Sequence, residues 1–160
     1  MAVKPLARLH HVSLEVTDIR RTEFYHDRFL GRLGYRRFVR DETYLGYTNG
    51  ETTLWLLRGD PPRVRRKPIT GEEEVVAEHL AFAVASAGEV QKIQDDLERS
   101  EVYPTFRAEE HPEFRAGYFS ATWVDPDGIV LEVYFPGPAR AARARRGKAR
   151  AVPRRRATKR

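Results

Sequence analysis

The sequence predicts an α+β domain of two βαβββ modules, followed by a disordered basic tail. Three observations lead there. A strand-like stretch headed by histidine occurs twice, as "HVSLEV" from His11 and as "HLAFAV" from His79. Each copy is followed by an amphipathic stretch and then by three short segments rich in β-branched and aromatic residues. The last 24 residues change abruptly to Ala, Arg, Gly and Pro.

In the first module, "HVSLEV" alternates apolar and polar residues as a half-buried strand does. Asp18 then offers an N-cap, and Ile19, Phe29, Leu30 and Leu33 give an apolar stripe before Gly34 stops the helix. "YRRFVR", "TYLGYT" and "TTLWLLR" read as strands, with Asn49-Gly50 turning between the last two. In the second module, Ser86 and Glu89 form a capping box for a helix with Val90, Ile93 and Leu97 on one face. "YPTFRAE", "GYFSATWV" and "IVLEVYF" follow, the last two joined by the turn Asp125-Pro126-Asp127-Gly128. The two aspartates serve as turn formers. Boundaries fall at 8–58 and 78–136 for the modules, 59–77 for a charged, Pro-bearing connector, 1–136 for the domain and 137–160 for the tail.

Composition narrows the chemistry. A chain of 160 residues, 41% hydrophobic, can bury one sizeable core. No apolar run approaches the roughly 18 residues of a membrane span, and the N-terminus lacks a signal-peptide stretch, so a cytoplasmic location without membrane contact is expected. With no cysteine, disulfides, thiolate metal sites and thiol nucleophiles are excluded. The tail from Arg140 holds 11 of the 29 basic residues and no acid; subtraction leaves 18 basic against 23 acidic residues, so the domain itself is acidic. Such a tail suits non-specific binding of nucleic acid or another polyanion, or plain solubilisation, and it lacks aromatics for base stacking.

Alternation puts His11, Ser13 and Glu15 on one face of the first strand and points His10 the other way. By the same count His79 stands with Ala81 and Ala83, and Glu132 with Val130 and Tyr134. Two neutral imidazoles and one carboxylate on rigid strands are what an open catalytic divalent-metal site needs. Taken singly, each has an ordinary reading as a surface or satisfied residue. Together they sit at matching places in two repeats, and Glu132 interrupts an apolar run where a bare carboxylate is costly.

"HHVSLEVTDIRRTEFY", "LGRLGY", "HLAFAV" and "DPDGIVLEV" resemble the vicinal oxygen chelate superfamily of glyoxalases, extradiol dioxygenases, fosfomycin-resistance enzymes and bleomycin-binding proteins, over Leu9 to Pro136. The resemblance implies paired βαβββ modules forming a cupped mixed sheet around the metal, frequent homodimers, and metal ligands at His11, His79 and Glu132. It further implies Fe(II) or Mn(II), with Zn(II) or Ni(II) as other options, and a small substrate whose neighbouring oxygens chelate the ion. Two departures matter. The fourth ligand of glyoxalase I falls on Leu54 or Trp55, neither of which binds metal, leaving a set of three as in the extradiol dioxygenases and the fosfomycin-modifying enzymes. The acid/base tyrosine of extradiol enzymes falls on Thr122, so Tyr118, Tyr134 or His111 becomes the candidate substitute, and Glu15, on the His11 face, is a partner of the ligands, a base or an exposed strand carboxylate.

Arg107 and Arg115 are candidates for an anionic substrate group, and Trp55 and Tyr134 for an aromatic wall, against the ordinary readings of solvated surface and core packing. The chain therefore reads as a metal-dependent enzyme with dioxygenase-like chemistry favoured over isomerase or transferase chemistry. A non-catalytic drug- or metabolite-binding protein is the alternative. No Gly-rich phosphate loop, nucleophile elbow or helical His-Glu-His motif is present.

Overall fold

The structure, a computed structural model, describes residues 7–59 and 79–138. The expected connector beyond Gly59 and the tail beyond Pro138 lie outside the described residues. The first module runs β1 (His11–Val16), α1 (Ile19–Arg32), β2 (Arg36–Arg40), β3 (Tyr44–Thr48) and β4 (Thr53–Arg58). The second runs β5 (His79–Ala83), α2 (Ala87–Arg99), β6 (Phe106–Glu110), β7 (Phe119–Val124) and β8 (Val130–Phe135). Among the described residues no helix is long and apolar enough to cross a membrane.

Each module closes its own four-stranded mixed sheet, in the orders β1-β4-β3-β2 and β5-β8-β7-β6. The first and last strands pair in parallel, which the intervening helix permits, and the remaining pairs are antiparallel. Among the described residues the His-bearing strands β1 and β5 are therefore sheet edges. In β2 a register shift between Arg37 and Val39 lifts Phe38 out of the ladder. Gly46 opposite has no side chain to obstruct it: a Cβ there would lie 2.8 Å from the Phe38 ring.

Both helices start where expected. The Asp18 carboxylate accepts from Arg21 N at 3.0 Å, and Ser86 Oγ accepts from Glu89 N at 3.2 Å while Glu89 takes Ala85 N at 2.7 Å. The buried stripe of α1 is Ile19, Thr22, His26, Phe29 and Leu30, so two polar residues sit inside it. One core spans both modules, with the Phe29 ring of α1 edge-on to Trp123 of β7 at 5.4 Å and to Phe82 of β5 at 6.1 Å.

Thr22 and His26 are polar because they meet the β7–β8 turn. His26 Nε2 lies 3.0 Å from Asp125 Oδ2, with both side chains fully buried. Asp127 accepts from Thr17 N at 3.1 Å, Thr17 Oγ1 at 2.5 Å, Arg21 Nη2 at 3.0 Å and Thr22 Oγ1 at 3.1 Å. Asp125 and Asp127 do form the turn, in which Gly128 N donates to Asp125 O at 3.0 Å. They also fasten the second module to the start of α1, a role that turn propensity alone does not reveal.

Candidate active site in the second module

Register and burial confirm that one side of β5 and β8 faces away from the helices. Ala81 pairs with Glu132 and Ala83 with Tyr134, while Leu131 and Val133 between them are fully buried in the core. Glu132 is only 8% exposed, yet both carboxylate oxygens are engaged. Tyr118 Oη donates to Oε1 at 2.9 Å, and His79 Nε2 stands 3.1 Å from Oε2. Burial first, then the Glu132 hydrogen bond and charge, push the Tyr118 phenol well above its ordinary value, so it stays protonated and acts as a donor.

These three residues line a cavity of about 330 Å3. Its other walls include His111, Phe106, Phe114, Glu109 and Glu113. His111 Nδ1 lies 3.0 Å from Glu113 Oε1, which orients the imidazole and leaves Nε2 uncommitted by that contact. Hydrogen bonding to its own backbone N–H, aided by His111, holds the Glu113 carboxyl below the usual carboxylate range. Phe114 stacks on His111 at 5.6 Å and meets Tyr118 edge-on at 5.7 Å, and Tyr118 stacks on Tyr134 at 5.2 Å. The candidates His79, His111, Tyr118 and Glu132 are thus brought together.

The remaining candidates lie elsewhere. His11 sits exposed on the first-module sheet, its Nδ1 3.1 Å from His10 Nδ1. His10 does not point away from it: it precedes β1, so strand alternation does not govern it. Glu15 lies over Gly59, where an added Cβ would meet its Oε1. Trp55 pairs with Ser13 across β1 and β4 and so shares the His11 face, flanked by Phe38 at 5.3 Å and Tyr44 at 6.1 Å; Leu54 turns into the core. Arg107 pairs with Glu98 at 2.8 Å, and Arg115 donates to Pro138 O at 3.0 Å. Neither arginine lines the cavity.

The donor set can be tested against a divalent ion. His79 and Glu132 supply one nitrogen and one oxygen 3.1 Å apart, close to the roughly 3 Å edge expected of two adjacent ligands with bonds near 2.1 Å. Among the described residues no group of three or more His, Cys, Asp or Glu is placed to hold a metal ion. A single chain thus presents two of the three anticipated ligands, and His11 is not with them.

Sequence reasoning missed Phe106, Phe114, Glu109 and Glu113 as cavity walls. Phe106 and Glu109 stand on either side of a register shift in β6, and Phe114 and Glu113 lie in the loop after it, so no period marks them. The available signal was the cluster of acids and aromatics in "FRAEEHPEFRAGY".

Residues 8–133 match the model of the Glyoxalase/Bleomycin resistance protein/Dioxygenase superfamily. The chain is 25% identical over 130 residues to the uncharacterized protein YqjT of Bacillus subtilis, covering 80% of this chain and 98% of that one. It superposes on a lactoylglutathione lyase from Agrobacterium tumefaciens with a TM-score of 0.61 at 18% identity, over 83% of this chain and 96% of that one. A glyoxalase/dioxygenase from Nostoc punctiforme gives 0.60 at 18% identity, over 87% and 98%. At those identities the two structures speak for the fold alone. The family match over most of the chain carries the assignment: this protein belongs to the glyoxalase/bleomycin resistance protein/dioxygenase superfamily, whose paired-module architecture is the vicinal oxygen chelate fold.

Proposed function

We propose that the protein is a divalent-metal-dependent enzyme acting on a small metal-chelating substrate in the second-module cavity, with dioxygenase-like chemistry favoured over isomerase or transferase chemistry. The observation that carries this reading is the buried Glu132 carboxylate, held through one oxygen by Tyr118 and set beside His79 through the other. An ion there would offset the cost of burying that charge. His79 and Glu132 are one chain's share of the ligands, and His11 of a second copy is the third. Two features support such a homodimer: among the described residues β1 and β5 are sheet edges, and the His11 face carries the exposed apolar side chains Phe38 and Leu57 beside Trp55.

Fe(II) or Mn(II), or alternatively Zn(II) or Ni(II), would supply Lewis acidity to a bound substrate oxygen. The chain's own residues do the rest. Tyr118 fixes the Glu132 carboxylate in orientation. His111, held at Nδ1 by Glu113, presents Nε2 to the cavity as the proton acceptor, the part that Thr122, lacking a titratable group, cannot play. The aromatic walls exclude water from one side of the ligand. In this reading the protein works in the cytoplasm.

A second reading, a non-catalytic protein that sequesters a drug or metabolite, is favoured by the two-donor count within one chain. Metal analysis of protein purified without chelators separates the two. Stoichiometric metal that is lost in His79→Ala and Glu132→Ala supports the enzyme. Metal-free protein that binds ligand tightly would rule it out.

A further inference from the structure

The cavity has an unusual charge pattern for a site to which Arg107 and Arg115 were expected to bring an anionic substrate group. Among the described residues its charged or ionisable lining is His79, His111, the Tyr118 phenol and three carboxylates, Glu109, Glu113 and Glu132, with neither lysine nor arginine. The two arginines nearest in sequence are held elsewhere, Arg107 by Glu98 and Arg115 by the Pro138 carbonyl. Away from the metal position, a ligand carboxylate would enter among like charges, with no lysine or arginine of the described residues to receive it. An ammonium group would meet Glu109 and Glu113 in a lining that also holds the aromatic rings of Phe114 and Tyr118.

The walls select shape as well as charge. Phe114 is 56% exposed, a large ring left open at the cavity beside His111 and Tyr118. Phe106 lies in the row Phe106–Thr122–Glu132 across β6, β7 and β8, so a ring in the cavity has an aromatic neighbour on that side as well. The 330 Å3 volume lies at the lower end of the range of small-molecule sites, and holds one or two fused rings.

We propose that this cavity selects planar aromatic ligands that carry a protonated amine, the ring lying among Phe106, Phe114 and Tyr118 and the ammonium directed to Glu109 and Glu113. The inference rests on the proposed reading only in taking this cavity as the ligand site. It requires no bound metal: a divalent ion would offset Glu132 and part of the remaining charge, leaving Glu109 and Glu113 to set the preference.

The test uses two catechols alike except in charge, dopamine and 3-(3,4-dihydroxyphenyl)propionate, titrated calorimetrically into the full chain, once metal-loaded and once after chelator treatment. Dopamine is expected to bind at least about tenfold tighter in both states: one ammonium–carboxylate pair about 7 Å apart at an effective dielectric of about 35 gives about tenfold over a neutral ligand, and repulsion of the propionate adds to it. The preference should shrink severalfold in Glu109→Gln/Glu113→Gln and at high salt. Equal or tighter binding of the propionate, a preference unchanged in the double variant, or no binding of either compound at millimolar concentration overturns the proposal. Failure of the metal reading shows separately, as affinities for both catechols that metal does not alter.

Discussion

Replacing Asp127 with alanine removes the acceptor that ties Thr17, Arg21 and Thr22 to the β7–β8 turn. Asp127 is nearly sealed from solvent, at 1% side-chain exposure, and Thr22 is fully buried. The Arg21 side chain is half exposed, so its ion pair is screened and counts for little. The larger loss includes the bond to the buried Thr22 hydroxyl and those to part-buried Thr17, each made to a charged acceptor. At about 1.5–2 kcal/mol for each threonine, the cost is about 3–4 kcal/mol. For a folded part of this size that is a Tm lower by about 10–15 °C. Ser86→Ala, which removes the cap of α2 and no contact between modules, serves as the reference at about 1 kcal/mol. Urea unfolding with a common m-value gives both numbers. If Asp127→Ala costs no more than Ser86→Ala, the turn is not an inter-module anchor and the reasoning fails.

Other consequences are as direct. Tyr118→Phe keeps the ring stacked on Tyr134 but removes the donor to Glu132, so retention of the bound ion should weaken by about 10- to 100-fold in a chelator-competition assay; unchanged retention would show that Tyr118 does not position the carboxylate. Burial pushes the phenols of Tyr25, Tyr47 and Tyr118 above their ordinary value of 10.0, with Asp27 and Glu132 adding to it for the last two. The folded state therefore keeps protons that the unfolded state releases, so this contribution is complete below pH 10 and is lost as pH rises above it. Ultraviolet titration should show these tyrosines ionising only together with unfolding, whereas ionisation in the folded state would contradict the assignment. Truncation after Pro138, which spares the Arg115 contact, should abolish salt-sensitive binding to nucleic acid if the 11 basic residues of the tail carry it, and binding that persists would exclude the tail.

Much of the fold was legible because strands and helices have distinct periods. Alternation in "HVSLEV" and "HLAFAV" assigned faces that the register confirms, and the Ser86–Glu89 box marked a real helix start. Glu132 could be singled out because a carboxylate in "IVLEVYF" demands partners, and Tyr118 and His79 are those partners. Three things escaped. The polarity of Thr22 and His26 reflects the β7–β8 turn, about a hundred residues away in sequence, which no local pattern records. The arginines of "FRAEEHPEFR" looked available for substrate because sequence does not tell which side of a strand is already paired, and Glu98 and the Pro138 carbonyl take them. The separation of His11 from His79 and Glu132 follows from how the two sheets pack around the shared core, a matter of tertiary arrangement rather than of spacing.

That separation makes subunit mixing the decisive measurement. His11→Ala and Glu132→Ala variants, each metal-free alone, are unfolded together, refolded, and assayed for bound metal. If His11 of one copy completes the His79–Glu132 pair of the other, half of the dimers are mixed and one of their two sites is whole, so the mixture should recover about a quarter of the wild-type metal. A mixture as empty as its components, or a His11→Ala variant that keeps its metal unaided, would contradict the shared site.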